Sequence, residues 1–137
     1  MAEFIPEPDA EAVIVAYLNA QFPSTSLPTL KASTKVPATR PARFVIIRKV
    51  GGFRRNLVSF RPRFVVESYG PNEAAAAAVA SLVGALLWQA ATDGAMGSTV
   101  VGDLNTVSLP QNLPDPAVTS ASRYSSSYEL DMRSYGA

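Results

Sequence analysis

Between residues 9 and 22 the apolar positions recur at helical spacing: Val13, Ala16, Tyr17 and Ala20, with Ile14 and Leu18 widening the stripe. Asp9, after Pro8, offers a side-chain oxygen to the free amides of the first turn, and Glu11 stands where the helix dipole favours an acid. Pro23 ends this predicted helix, because proline pushes the residue before it out of helical backbone. The segment 23–41 is rich in Pro, Ser and Thr. Its prolines at 23, 28, 37 and 41 leave room for one short strand, around Ala32–Val36.

Residues 43–50 form the clearest predicted strand. Its centre, Phe44-Val45-Ile46-Ile47, is apolar on both faces and its ends are charged, the pattern of a strand covered on both sides at the middle. Gly51-Gly52 breaks the pattern, and a second strand is predicted over 63–69, with Pro62 suiting a strand start or an edge. The connection from Gly51 to Phe60 carries Arg54 and Arg55; at that length it is a candidate projecting loop.

A second helix is predicted over 72–92, capped by Asn72 and closed at Asp93-Gly94. Val79, Leu82, Val83, Leu86 and Leu87 give it a bulky side, and Ala74–Ala78, Ala80 and Ala85 a small-residue side. A helix apolar nearly all round is expected to be buried on more than one face, in a core or against a neighbouring subunit. Two strands close the chain, 98–109 and 122–133, separated by the proline-rich stretch Pro110–Pro116. In the last strand Tyr124, Ser126, Tyr128, Leu130 and Met132 alternate with Ser125, Ser127, Glu129 and Asp131, so one face is core. The order implies a single α+β domain: a mixed or antiparallel sheet of about four to five strands flanked by two main helices.

Composition removes much chemistry. Among 137 residues there is neither a histidine nor a cysteine. The commonest general base, thiolate ligands and a Ser-His-Asp triad are therefore all missing. Asp93-Gly94 lacks the spaced carboxylates of a calcium loop, and Gly94-Ala-Met-Gly97 lacks the lysine of a phosphate cradle. No catalytic residue, metal site or cofactor is expected. The acidic N-terminus does not resemble a signal peptide. The uncharged run Ala74–Ala91 is alanine-rich, flanked by Glu73 and Asp93, and without a basic anchor, so no membrane span is expected. The chain reads as soluble and intracellular, or as part of a particle assembled inside a cell.

The net charge is +1, but the charges are sorted. Glu3, Glu7, Asp9 and Glu11 open the chain, residues 12–66 hold ten bases and no acid, and seven acids from Glu67 onward face only Arg123 and Arg133. Sorting of this kind suggests complementary patches, met either by other copies of the chain or by a polyanion. The candidate subunit interface, axial interface or lumen residues are Arg43, Arg48, Lys49, Arg54, Arg55, Arg61, Arg63, Glu67, Asp115, Arg123, Glu129 and Asp131. Phe44, Phe53, Phe60 and Phe64 are interleaved with the bases, which leaves a nucleic-acid surface as the alternative.

Several segments carry a family resemblance when taken in order. They are Asp9-Ala-Glu-Ala-Val-Ile-Val-Ala-Tyr-Leu18, Thr34-Lys-Val-Pro37, Arg40-Pro41, Phe44-Val-Ile-Ile-Arg48 with Gly51-Gly52, and Arg63-Phe-Val-Val-Glu-Ser-Tyr69. An alanine-rich helix, Leu113-Pro-Asp-Pro116 and a final strand from Arg123-Tyr124 to Met132-Arg133 complete the set. From Asp9 to Arg133 the chain resembles the tail terminator family of long-tailed actinobacteriophages. It departs from the family at Tyr69-Gly-Pro-Asn72, where an aromatic residue followed by a polar cap is expected, and in a longer alanine run.

The resemblance implies an α+β fold and a homohexameric ring at the head-proximal end of the tail. There the ring would cap the tube of major tail protein, stop its polymerisation, and offer a surface to the head-closure or connector protein. The tape measure protein and genomic DNA in the lumen are further partners it would allow. The location implied is the virion neck, after assembly in the host cytoplasm. Another neck component, such as a head-closure protein, is the alternative within the same class, and a small nucleic-acid-binding module is the alternative outside it.

Overall fold

The computed structural model describes residues 4–118 and 120–135. Elements follow in the order α1 (Ala10–Gln21), β1 (Ala32–Ser33), β2 (Phe44–Arg54), β3 (Ser59–Gly70), α2 (Glu73–Asp93), β4 (Ala95–Met96), β5 (Thr99–Asn112) and β6 (Ser122–Arg133). They build one α+β domain on a six-stranded mixed sheet of order β1-β2-β3-β6-β5-β4. β1 runs parallel to β2 and every other pairing is antiparallel. The four long strands are those expected from the pattern. β1 and β4, two residues each, bring the count to six.

Both helices begin as their caps dictate. Asp9 accepts from the Ala12 amide at 3.1 Å and Asn72 from the Ala75 amide at 2.8 Å. A short 3-10 turn, Phe22–Ser24, carries Pro23 and ends the α1 region. Gly94, at φ 79°, closes α2 in the left-handed conformation that glycine adopts without strain. The buried side of α1 is centred on Ile14, Tyr17 and Leu18, and Ala16 and Ala20 face outward. The larger side chains win the core because burial scales with apolar area.

Both helices pack on one face of the sheet. Ile14, Leu18 and Phe22 meet Val45, Ile47, Phe64, Val66, Val83, Leu87, Leu130 and Met132 in the main core. Even-numbered residues of β6 from Ser126 to Met132 point into it, as the alternation predicted. On the opposite face a smaller cluster forms from Phe44, Ile46, Tyr69 and Val118. Phe44–Ile47 are thus covered on both sides, as expected.

Two sequence expectations fail along β2 and β3. The stretch from Gly51 to Phe60 is no ten-residue loop: β2 continues to Arg54, β3 starts at Ser59, and only residues 55–58 turn. Gly51 and Gly52, at φ 127° and 115°, absorb a register shift after Lys49 instead of breaking the strand. Nor does Pro62 mark an edge or a strand start. It lies inside β3, which is flanked by β2 and β6, and is opposite Gly52. Its missing N–H is tolerated where the recorded β3–β6 pairs skip from Phe60–Met132 to Arg63–Glu129.

Candidate functional site

The sheet face away from the helices carries the odd-numbered residues of β3 and β6, and on it the sorted charges meet. Glu67, 7% exposed, receives Arg48 at 2.9 Å on one oxygen and Arg123 at 2.6 Å on the other. Arg123 also donates through Nε to the Leu113 carbonyl at 2.7 Å. Asp115 accepts from the Ala117 amide at 2.9 Å and from the Tyr69 hydroxyl at 2.8 Å. The Ala117 amide, with the Tyr69 hydroxyl behind it, holds the Asp115 carboxyl below its usual range. Burial, reinforced by the bond to Asp115, pushes the Tyr69 hydroxyl up to about 12. The Tyr69 ring stacks on Phe44 at 4.4 Å between centroids. This network fastens the 113–118 loop over the smaller core cluster.

A second cluster lies further along the same face. Arg61 reaches Asp131 at 2.8 Å and Asp103 at 3.2 Å, and Arg55 reaches Asp131 at 2.8 Å. Arg63 pairs with Glu129 at 3.1 Å. The Asn105 amide, followed by Arg63, holds the Glu129 carboxyl below its usual range. Lys49 turns the other way, its ammonium 2.9 Å from Glu7 and its amide 2.8 Å from Glu11. Arg54 lies over the Phe60 ring at 4.6 Å and donates to the carbonyls of Ile5, Asn56 and Leu57.

Of the twelve expected interface residues, all but Arg43 are therefore engaged inside one chain, among the described residues. The base-only middle does face acids, but they belong to the same molecule. Antiparallel pairing sets Arg63 against Glu129 and Glu67 against Ser125, so the ion pairs cross between β3 and β6. Glu3 of the acidic N-terminus lies outside the described residues. Arg54 and Arg55, suggested for a lumen, would have to leave these partners to reach a polyanion.

What remains open lies elsewhere. Lys31, Lys35, Arg40 and Arg43 are exposed and make no ion pair among the described residues; Lys31 and Lys35 flank β1 at one edge of the sheet, and Arg40 and Arg43 lie in its connection to β2. At the other edge, α2 and β5 enclose a groove of about 390 Å³ lined by Ala80, Ser81, Gly84, Trp88, Leu109 and Tyr124, among others. Trp88 is 49% and Leu109 75% exposed. α2, 21 residues long, is long and apolar enough to cross a membrane, yet its most apolar 18-residue window is only 33% buried. Within one chain, one face only of α2 is covered. Its outer row of Ala74, Ala78, Ser81, Ala85, Trp88 and Thr92 is exposed and uncharged at alternating steps of four and three. That 4-3 spacing was the signal that could have revealed this surface.

A groove of about 620 Å³ runs between α1 and the β4 turn, with Tyr17 and Asp93 as its ionisable groups. The Tyr17 hydroxyl is already committed to the Leu86 carbonyl at 3.1 Å. Among the described residues no group of three or more acids is placed to hold a metal ion. No protein-family model matches the chain, and no curated protein sequence matches it either.

Proposed function

We propose that this chain is a structural subunit of a long-tailed phage, a tail terminator that assembles as a ring on the head-proximal end of the tail tube. The observation that carries the reading is the uncovered face of α2. An uncharged helical surface with a half-exposed tryptophan is an expected mark of a chain completed by another copy or partner. The ordered motif set from Asp9 to Arg133 supplies the family, and the α+β domain agrees with it.

In this reading the ring stops the polymerisation of the major tail protein and presents its other side to the head-closure protein. A direct test is to add the purified chain to tail-tube protein during polymerisation and image the products. Tubes ending in a ring at one tip, and no longer growing, are expected; unchanged growth with bare tips would refute the assignment. A head-closure role, the alternative within the neck, predicts binding to the completed tail and no effect on growing tubes. The nucleic-acid alternative is weakened, because the densest bases, Arg48 to Arg63, are paired within the chain.

A further inference from the structure

The ten bases of residues 12–66 divide into two sets in the fold. Arg48, Lys49, Arg54, Arg55, Arg61 and Arg63 are engaged within the chain, whereas Lys31, Lys35, Arg40 and Arg43 are exposed without an acid among the described residues. Ordered backbone presents the second set. Leu30 and Ala32 are buried, and Lys31 between them is exposed. Asn19 fixes this stretch, donating to the Ala32 carbonyl at 3.0 Å and accepting from the Ala32 amide at 2.8 Å. Val36 packs against the cluster of Phe44, Ile46, Tyr69 and Val118 and so pins the bent segment that follows β1.

Lys31 and Arg43 come together at this edge of the sheet. The Val45 amide donates to the Lys31 carbonyl at 3.0 Å, which sets Lys31 beside the start of β2, where Arg43 precedes Phe44. Arg43 also borders a cleft of about 330 Å³, with Ser26, Thr29 and Pro41 and without a carboxylate. Arginine, lysine, serine and threonine side chains are the usual donors to phosphate oxygens. We infer that the β1 edge, through Lys31, Lys35, Arg40 and Arg43, binds the phosphate backbone of duplex nucleic acid.

What the edge lacks disfavours the rival anions. None of the exposed large hydrophobic side chains falls within residues 23–43. An acidic protein partner would be anchored by buried aromatic or aliphatic side chains, and this surface offers none. Single strands need aromatic platforms for their bases, and residues 23–43 contain no aromatic residue. A lipid surface would need an apolar face beside the bases. Duplex phosphates need only fixed cations and hydroxyl donors. A row of cations that meets phosphates alone carries no sequence information, and four of them make a contact readily displaced by salt. This surface is separate from the Arg48–Arg63 tract, whose bases are engaged by Glu67, Glu129 and Asp131 among others. It belongs to the chain itself and stands or falls independently of the tail-terminator reading.

Fluorescence anisotropy of the full chain with two short DNA duplexes of unrelated sequence tests it. Both are expected to bind alike at low ionic strength. The logarithm of the binding constant should fall against the logarithm of salt with a slope of about −3.6, from about −0.9 for each of four phosphates. Arg40→Glu with Arg43→Glu is expected to lower affinity at least about tenfold and to make the slope shallower by about two. Lys31→Gln with Lys35→Gln should reduce the same slope without reversing any charge. None of the four has an ion-pair partner to lose among the described residues, so melting midpoints should stay unchanged. Arg133→Glu makes the same net-charge change as Arg43→Glu, on an exposed residue of β6 beyond β2 and β3, and is expected to cost far less. An equal loss from these two single variants would show net charge and not this edge at work, and would overturn the inference. So would absent duplex binding at low salt, or tighter binding to single strands, polyglutamate or phosphatidylserine vesicles than to the duplex.

Discussion

Arg123 and Glu67 meet at 2.6 Å on adjacent strands, and the guanidinium simultaneously holds the carbonyl of Leu113. A carboxylate only 7% exposed is thereby paired on both oxygens on the sheet face, and the loop that covers Tyr69 is tied down. Burying a carboxylate is costly unless its oxygens are satisfied. Arg48 satisfies the first and Arg123 the second.

Arg123→Ala should therefore destabilise the chain by about 2–3 kcal/mol, the scale of a lost charged hydrogen bond plus an under-compensated buried charge. Urea unfolding would measure it. Hydrogen exchange should show residues 113–118 opening faster. Pairing the change with Glu67→Gln should recover part of the loss, since no uncompensated charge then remains. Equal or additive losses in the double variant would contradict the coupling.

Acid should act on the same face. Asp115 and Glu129 both have folded-state pKa values below their ordinary ones, chiefly through the Ala117 amide and the Asn105 amide respectively. Their contribution to stability is fully present above the unfolded values, about 3.9 for Asp and 4.3 for Glu, and is lost as pH falls through the lower folded values. Thermal melting should thus begin to fall as pH drops below about 4. Asp115→Asn should flatten that fall.

Much of the fold was legible in the chain, and the reasons are local. Asp9, Asn72 and Gly94 cap their helices by chemistry that needs no tertiary partner. The alternation in β6 and the apolar centre of β2 declare their burial directly. Gly51-Gly52 and Pro62 misled for a shared reason. Each breaks a strand when read alone, but opposite one another they form a bulged pair within a long hairpin. The charge pattern was visible and its partners were not, because which strands lie adjacent is a tertiary fact. Only the placement of β6 beside β3 makes Arg61, Arg63 and Glu67 internal partners of residues 123–131. The exposure of Trp88 is not legible in the sequence, because a single aromatic residue on an alanine-rich helix reads as core.

The two glycines of the bulge should respond differently to alanine. At Gly51 an added Cβ meets nothing within 4 Å, so the cost is the φ of 127° alone, about 1–3 kcal/mol. At Gly52 the same atom would lie 2.2 Å from the Arg61 carbonyl oxygen and 2.6 Å from the Pro62 Cα. Backbone on both strands would have to part there. Gly52→Ala should be the more damaging of the two by at least about 2 kcal/mol, or should prevent folding, while Gly51→Ala remains measurable by denaturant titration. Similar midpoints for both would show that the bulge relaxes more readily than its geometry implies.

Tyr69 extends the pH argument to the alkaline side, with the opposite sign. Its hydroxyl is raised from the ordinary 10.0 to about 12, first by burial and then by donating to Asp115. Between those values the unfolded chain releases this proton and the folded chain keeps it. The associated stability is complete below about pH 10 and is lost as pH rises towards 12. Ultraviolet titration of the folded chain should show a tyrosine ionising near pH 12 that Tyr69→Phe removes. Tyr69→Phe should lower stability at neutral pH by about 1 kcal/mol, the worth of one hydrogen bond, and should also reduce the alkaline slope. If the slope were unchanged in that variant, Tyr69 would not be the group that makes this fold sensitive to base.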